Sequence, residues 1–508
     1  MSSLNKALQL RFKNRCQEID YFKKEPQLSQ ARVFFDLISQ AQNTVWGRKY
    51  SYQDMLGLDF KEALSLFQSR VPLSPYENLF PYINQVYQGE KNILWPGRVR
   101  YFAKSSGTTN DKSKIIPVTK DSLKRGHYQS GKDVLAIYLQ QRPNTNIFSG
   151  KTLSISGSFS SRKNIFDIFC GDLSAILVKK LPIWARLFRA PKLSTALLGD
   201  WEKKAEVIAR ETLNQNIVAL AGVPSWNLVL MQKVLELSRA NNILEVWPNM
   251  ELFLHGGVSF APYRAQFEKL IPRSDMNYLE IYNASEGFLA FNDDLKRDDM
   301  LLTLDTGIFY EFIPWSQFGA KEAPAWSVDH LELGKTYALA ISTNSGLWRY
   351  LIGDTVEITS LNPLRVKVAG RTKHFINVFG EELMVSNTDE ALKLASQKTG
   401  ALVSEYTVAP IFMATGSSGA HEWLIEFFKK PNDMDLFSQE LDQALKSLNS
   451  DYEAKRFNDL VLGVPKINIA RSKLFYDWLK QKNKLGGQNK VPRLSNSREY
   501  LEEMLKLN

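Results

Sequence analysis

The sequence has little of the residue types that most often announce chemistry: only two cysteines and five histidines in 508 residues. Cys16 and Cys170 share no metal-type spacing and cannot build a disulfide framework, so a reducing, cytoplasmic setting is expected. His127, His255, His330, His374 and His421 are scattered, with no pair at metal-ligand spacing. Of these, His255 is of most interest because a pair of glycines follows it. No run of about 18 apolar residues is present to cross a bilayer. The opening stretch, MSSLNKALQLRFKNRCQEIDYF, lacks the apolar core and small-residue cleavage site of a secretory signal. Its leucines and aromatics instead recur at helical spacing. There is no long basic block either. Lysine and arginine (64) outnumber aspartate and glutamate (54), but acids interrupt the bases along the whole length. The net charge of +10 therefore argues against a nucleic-acid partner and suits a phosphate-rich small substrate. No convincing Ser-His-Asp or Cys-His set offers a protein nucleophile.

What is present is a soluble α/β pattern. KTLSISGSFS, NIVALAGVP, MELFLHGGVS and NYLEIYNASEG read as buried strands that stop at Gly, Ser or Asn. DWEKKAEVIARETLNQN and PSWNLVLMQKVLELSRANN read as helices between them, which predicts a mainly parallel sheet with ligands beyond its strand ends. From about Leu301 the texture becomes strand-rich and hairpin-like. After Arg371 comes a smaller α+β unit, ending near a basic, glycine-containing loop, KQKNKLGGQNKVPR. The expected organisation is a large N-terminal domain over residues 1–371, with mixed, mainly parallel sheets and a β-rich subdomain. A smaller, mobile α+β domain over 372–508 follows it.

Four loops carry candidate chemistry. SSGTTNDKSK joins two predicted strands, and Thr119 is a fitting N-cap for the helix beyond. It is not a Walker A loop, because the second glycine is missing. Its small residues and hydroxyls could still admit phosphate oxygens beside Lys112 or Lys114, although an ordinary hairpin loop reads the same. IYNASEG puts Tyr282, Ser285 and Glu286 just past a buried strand, where a carboxylate beside a hydroxyl can hold Mg²⁺ and phosphate, or simply form a surface turn. The paired glycines Gly256 and Gly257 permit close approach of backbone to a flat ring. Asp354, in WRYLIGD, could accept bonds from two ribose hydroxyls or merely close a hairpin. Phe159, Phe166, Phe169 and Trp184 could line an apolar pocket, with core packing the simpler reading.

In this order, SSGTT, YNASEG, RYLIGD and VAGRTKHFINVFGEEL resemble the adenylate-forming superfamily of acyl-CoA synthetases, luciferases and peptide-synthetase adenylation domains. RVPLSPYENLFPYI, VWPNMELFLHGG and NKVPR are closer still to the Gretchen Hagen-type, auxin-responsive promoter family of acyl acid amido synthetases. The resemblance runs from about Val71 to Arg493. It implies an ATP- and Mg²⁺-dependent ligase that adenylates a small carboxylic acid and passes the acyl group to an amine, as an amino acid offers. The alternatives are an acyl-CoA ligase, or a nucleotide-binding protein without catalysis. By the resemblance, Ser105, Ser106, Gly107, Thr108 and Thr109 cradle the phosphates of ATP. Tyr282 lies against adenine, Ser285 meets a phosphate, Glu286 holds Mg²⁺, and Asp354 with Arg371 grips the ribose. Lys373 is the hinge, and Lys490 reaches the α-phosphate and the carboxylate of the acid. The chain departs from the family pattern in Thr-Asn-Asp-Lys after Thr108 and in Ser285, a threonine in most of the superfamily. The acyl-site region, within Ser154 to Trp184 and the segment after Gly222, shows no alignment to the substrate-contacting residues of the plant relatives.

Overall fold

In this computed structural model the residues described are 3–105, 114–159, 168–199, 201–257, 260–261, 263–320, 322–372, 375–376, 378–379, 381, 383–412, 419–456, 462–482, 484–485 and 490–508. One sheet of eleven strands organises the large part. At one end Arg189–Ala190, Lys151–Ser154, Ile217–Gly222, Leu252–Gly256 and Asn277–Ala284 lie side by side and parallel. Helices Trp201–Thr212 and Pro224–Ser238 flank Ile217–Gly222 in the chain, and that strand is an almost unbroken apolar run. Strands covered on both faces read this way.

Gly287–Phe291 then turns back antiparallel on Asn277–Ala284. Met300–Leu302, Leu364–Arg371, Tyr350–Leu361, Thr336–Thr343 and Ile308–Pro314 continue the sheet, all antiparallel. The strand-rich segment is thus the far half of the same sheet. A smaller sheet pairs Tyr101–Ser105 with Lys114–Val118 antiparallel and with Phe169–Gly171 parallel. Thr119 caps the helix that follows, accepting from the Ser122 amide at 3.0 Å. That helix opens as a π-helix over Ser122–His127.

Beyond residue 383, Leu402–Ile411 and Ala420–Lys429 pair antiparallel, and Lys466–Ala470 joins parallel. Helices Val385–Thr399 and Met434–Leu448 cover this sheet, with Leu392, Tyr406, Trp423, Phe437 and Leu445 in a core of its own. It meets the large part through Trp226 and Ala205, which cluster with Leu474, Phe475, Trp478 and Val491. A polar seam lies alongside, where Gln266 donates to the Val403 carbonyl at 2.9 Å. Among the described residues, no helix is long and apolar enough to cross a membrane.

Candidate active site

The turn after Asn277–Ala284 projects into a cavity of about 1520 Å³ between the large sheet and the C-terminal unit. Tyr282 is buried on that strand, and its hydroxyl donates to Asp354 Oδ2 at 2.6 Å. Asp354 faces Arg371 across two antiparallel strands, where the two residues are register partners. The Arg371 Nε lies 3.1 Å from Asp354 Oδ1. An aromatic ring, a carboxylate and a guanidinium from three strands are therefore joined by one hydrogen bond and one ion pair.

Ser285 and Glu286 sit buried in the turn beside them. Burial lifts the Glu286 carboxyl to about 7, and the Asp354 charge adds to the lift while Lys114 and Arg371 oppose it. Lys114 opens the strand that leaves the hydroxyl loop and is paired in register with Ser105. Its ammonium reaches to 3.4 Å from the Tyr350 hydroxyl and 5.4 Å from the Tyr76 ring. Ser106, Gly107, Thr108 and Thr109 lie outside the described residues, as does the side chain of Ser105. The base of the loop, at Lys114, opens on the same cavity as Glu286 and Asp354.

Lys490 enters that cavity from the C-terminal unit. A Cβ built on Gly257, where φ is +86°, would stand 3.5 Å from the Lys490 Nζ. Burial lowers the Lys490 ammonium to about 8, with Arg371 and Arg493 pushing the same way and Asp354 opposing. The two glycines separate in role. A Cβ on Gly256 would strike the Ile281 carbonyl of the neighbouring strand at 2.2 Å, so sheet packing requires that glycine. Gly257 alone of the pair lines the cavity. His255 is buried against Phe260, ring centroids 4.2 Å apart, and burial drops it to about 3, which keeps it neutral.

Lys373 lies outside the described residues, as does Phe166, and the side chain of Trp184 is not described. Phe159 and Phe169, both half-buried, meet edge to face with ring centroids 6.1 Å apart, and neither lines this cavity. Sequence reasoning passed over Tyr76, Tyr350 and Asn283. Tyr350 had a signal, since it stands four residues before Asp354 in the WRYLIGD stretch, although Gly353 at φ +89° and a register irregularity lie between them. Asn283 had none. Its amide oxygen meets His127 Nδ1 at 2.8 Å, across 156 residues of chain.

The donor set fits a nucleotide: an aromatic ring, a serine hydroxyl, carboxylate acceptors and the cations Lys114, Arg371 and Lys490 converge on one cavity. No group of three His, Cys, Asp or Glu among the described residues could hold a metal alone. A single carboxylate, Glu286, fits Mg²⁺ that shares its coordination with substrate phosphates.

Family descriptions match three consecutive parts of the chain. They are the GH3 family N-terminal domain over residues 15–276, the central domain over 301–371 and the C-terminal domain over 386–499. The chain belongs to the GH3 family. Among curated relatives of this GH3 protein, "Indole-3-acetic acid-amido synthetase GH3.3" of Arabidopsis thaliana is 22% identical, over 91% of this chain and 88% of that protein. "4-substituted benzoates-glutamate ligase GH3.12" of the same plant is 21% identical, over 86% and 88%. Among solved structures, AtGH3.15 acyl acid amido synthetase in complex with 2,4-DB superposes with a TM-score of 0.79 at 15% identity, covering 97% of this chain and 95% of that one. A 2-hydroxyisobutyryl-CoA ligase in its postadenylation state superposes with 0.60 at 12% identity, covering 94% and 91%. These likenesses establish that the GH3 chain shares the fold of both enzymes.

Proposed function

We propose that this GH3 protein is an acyl acid amido synthetase: it joins a carboxylic acid to an amine, as an amino acid offers, at the expense of ATP. The observation that carries the reading is the single cavity shared by Tyr282, Glu286, Asp354 and Arg371 of the large sheet and Lys490 of the C-terminal unit. In the first step a carboxylate oxygen attacks the α-phosphorus, and the bond to pyrophosphate breaks. Two anions must meet, so the catalytic task is charge stabilisation and positioning. Lys490 supplies one cation at the attacked phosphate, and Lys114 another at the leaving end. Mg²⁺, when bound, adds neutralising charge through Glu286 and the phosphate oxygens. Ser285 and the hydroxyls of Ser105, Ser106, Thr108 and Thr109, with the backbone at Gly107, hold phosphate; Tyr282 bears on the base, while Asp354 and Arg371 hold the ribose.

In the second step the amine nitrogen attacks the acyl carbon and AMP leaves with the bonding pair. An α-amino group with a pKa near ~8 sheds its proton without a strong base. Lys490 can serve one step and withdraw for the other if residues 372–508 move as a lid about a pivot at Lys373. The names of the relatives, with indole-3-acetic acid and benzoates as acids and glutamate as an acceptor, make aromatic acids and amino acids the first candidates. A cytoplasmic place of action belongs to the same reading, and two free cysteines support it.

The test is acid-dependent ATP–pyrophosphate exchange across aromatic, indolic and fatty carboxylates, followed by amino acids or coenzyme A on any acid that responds. Exchange and an amide product are expected. A thioester product instead would make the protein a CoA ligase, and nucleotide binding without exchange for any acid would make it a binding protein.

A further inference from the structure

Three residues after Lys490, Arg493 is buried where the C-terminal unit meets the large part. Its guanidinium reaches Asp389 Oδ1 at 2.8 Å and Glu405 Oε1 at 3.1 Å, both in the C-terminal unit. Nη2, the nitrogen that faces Glu405, also donates to the hydroxyl of Tyr263 at 3.0 Å, and Tyr263 belongs to the large part. That hydroxyl donates onward to Glu405 Oε2 at 3.1 Å, so it closes a ring of bonds across the seam. The segment carrying Lys490 is zipped to the strand Leu402–Ile411, where the Arg493 carbonyl accepts from the Val408 amide at 2.8 Å and the Pro492 carbonyl from Thr407 at 2.6 Å. Arg493 also lies over the Tyr406 ring, 4.5 Å from its centroid.

Tyr263 is 1% exposed. Parting the seam would return its hydroxyl and the Glu405 carboxylate to water, whereas closure leaves both satisfied. Breaking one bond in such a buried ring leaves a charged group short of a partner, which costs far more than a surface bond. The ring also sets a direction, because Arg493 held at Tyr263 carries Lys490 to Gly257.

We propose that Tyr263 and Arg493 form the latch of the lid: the Tyr263 hydroxyl holds the C-terminal unit closed and so positions Lys490 in the cavity. The latch rests on the reading of residues 372–508 as a lid, but its test uses neither nucleotide nor acid. A working latch in a protein without pyrophosphate exchange would refute the ligase reading and leave the latch standing.

The full-length protein and its Tyr263→Phe variant are compared by limited trypsin digestion, following cleavage of the Lys490–Val491 bond by mass spectrometry. When opening is fast relative to cleavage, the rate follows the open population. Loss of the hydroxyl is expected to speed this cleavage about tenfold, the effect of one buried bond to a charged group. Cleavage at remote lysines and arginines of the large part should be unchanged. Competitive acetylation across pH reads the titration of Lys490, which faces Arg371, Asp354 and Arg493. In the variant it should move from about 8 toward the ordinary lysine value of roughly 10.4 as the side chain returns to water. Equal cleavage in both proteins, acceleration shared by remote sites, or a titration that stays in place overturns the latch. If the Phe variant does not melt cooperatively, Arg493→Lys, too short to span Asp389 and Tyr263 together, is judged by the same criteria.

Discussion

At the scale of single residues, the site is a contest between burial and charge. In the proposed reaction Lys490 must be cationic to offset two meeting anions, yet burial has already lowered it to about 8. The free protein therefore carries the required proton below that pH and loses it above. Since kcat/KM reports the free enzyme, kcat/KM for ATP in the exchange reaction should fall as pH rises through about 8. Lys490→Arg, whose guanidinium keeps its proton, should abolish that alkaline limb. Lys490→Ala should lower the exchange rate by at least about a hundredfold, the scale of losing a preorganised group at the transition state. Its ATP affinity should survive in a calorimetric titration, because Tyr282, Asp354 and Arg371 remain. Tyr282 and Asp354 give the opposite split. Tyr282→Phe removes a bond that orients the carboxylate and should weaken ATP binding by about 1 kcal/mol. Asp354→Ala should weaken it further, since it also leaves Arg371 without its ion pair.

At the scale of elements, strands were legible wherever burial shows locally. Ile217–Gly222 and Leu252–Gly256 announce themselves because a strand covered on both faces is an apolar run, and glycine ends it. The strands on either side of the hydroxyl loop, Tyr101–Ser105 and Lys114–Val118, were legible too, and they pair antiparallel. Pairing between distant strands leaves no such local trace. Nothing in Leu364–Arg371 says that Met300–Leu302 lies on one side and Tyr350–Leu361 on the other. The π-helix at Ser122–His127 was hidden because its apolar spacing is too near that of an α-helix to separate in one turn. The Tyr282–Asp354 bond spans 72 residues and was equally hidden, although both partners had been singled out for other reasons. Buried pairing within elements also makes firm stability predictions. Glu311, fully buried in Ile308–Pro314, holds Arg349, whose φ of 43° is strained for a residue with a side chain. Glu311→Ala should cost about 3–5 kcal/mol by stranding that guanidinium, read from urea unfolding. Gly256→Ala should cost on the order of 2 kcal/mol or more, since its Cβ cannot enter without parting two strands.

At the scale of the whole molecule, the question is whether residues 1–371 and 372–508 are separate folding units that share one active site. Each has a core that does not draw on the other: Phe34, Tyr310, Trp348 and their neighbours in the first, Tyr406, Trp423 and Phe437 in the second. Among the contacts that join them are the polar seam at Tyr263 and Gln266, a mixed apolar cluster around Trp226 and the edge of Trp315 against Phe375. Such interfaces resemble transient contacts between proteins more than a continuous core. A fragment ending at Arg371 should therefore melt cooperatively by itself. It retains Tyr282, Glu286, Asp354 and Arg371, so it should bind ATP in calorimetry about as tightly as Lys490→Ala does. It should show no pyrophosphate exchange with any acid. Its exposed Trp226 patch should make it associate at high concentration, and Trp226→Gln should relieve that in sedimentation without changing nucleotide affinity. A fragment that fails to melt cooperatively even with Trp226→Gln would place the boundary elsewhere. A fragment that catalyses exchange would remove Lys490 from the chemistry altogether.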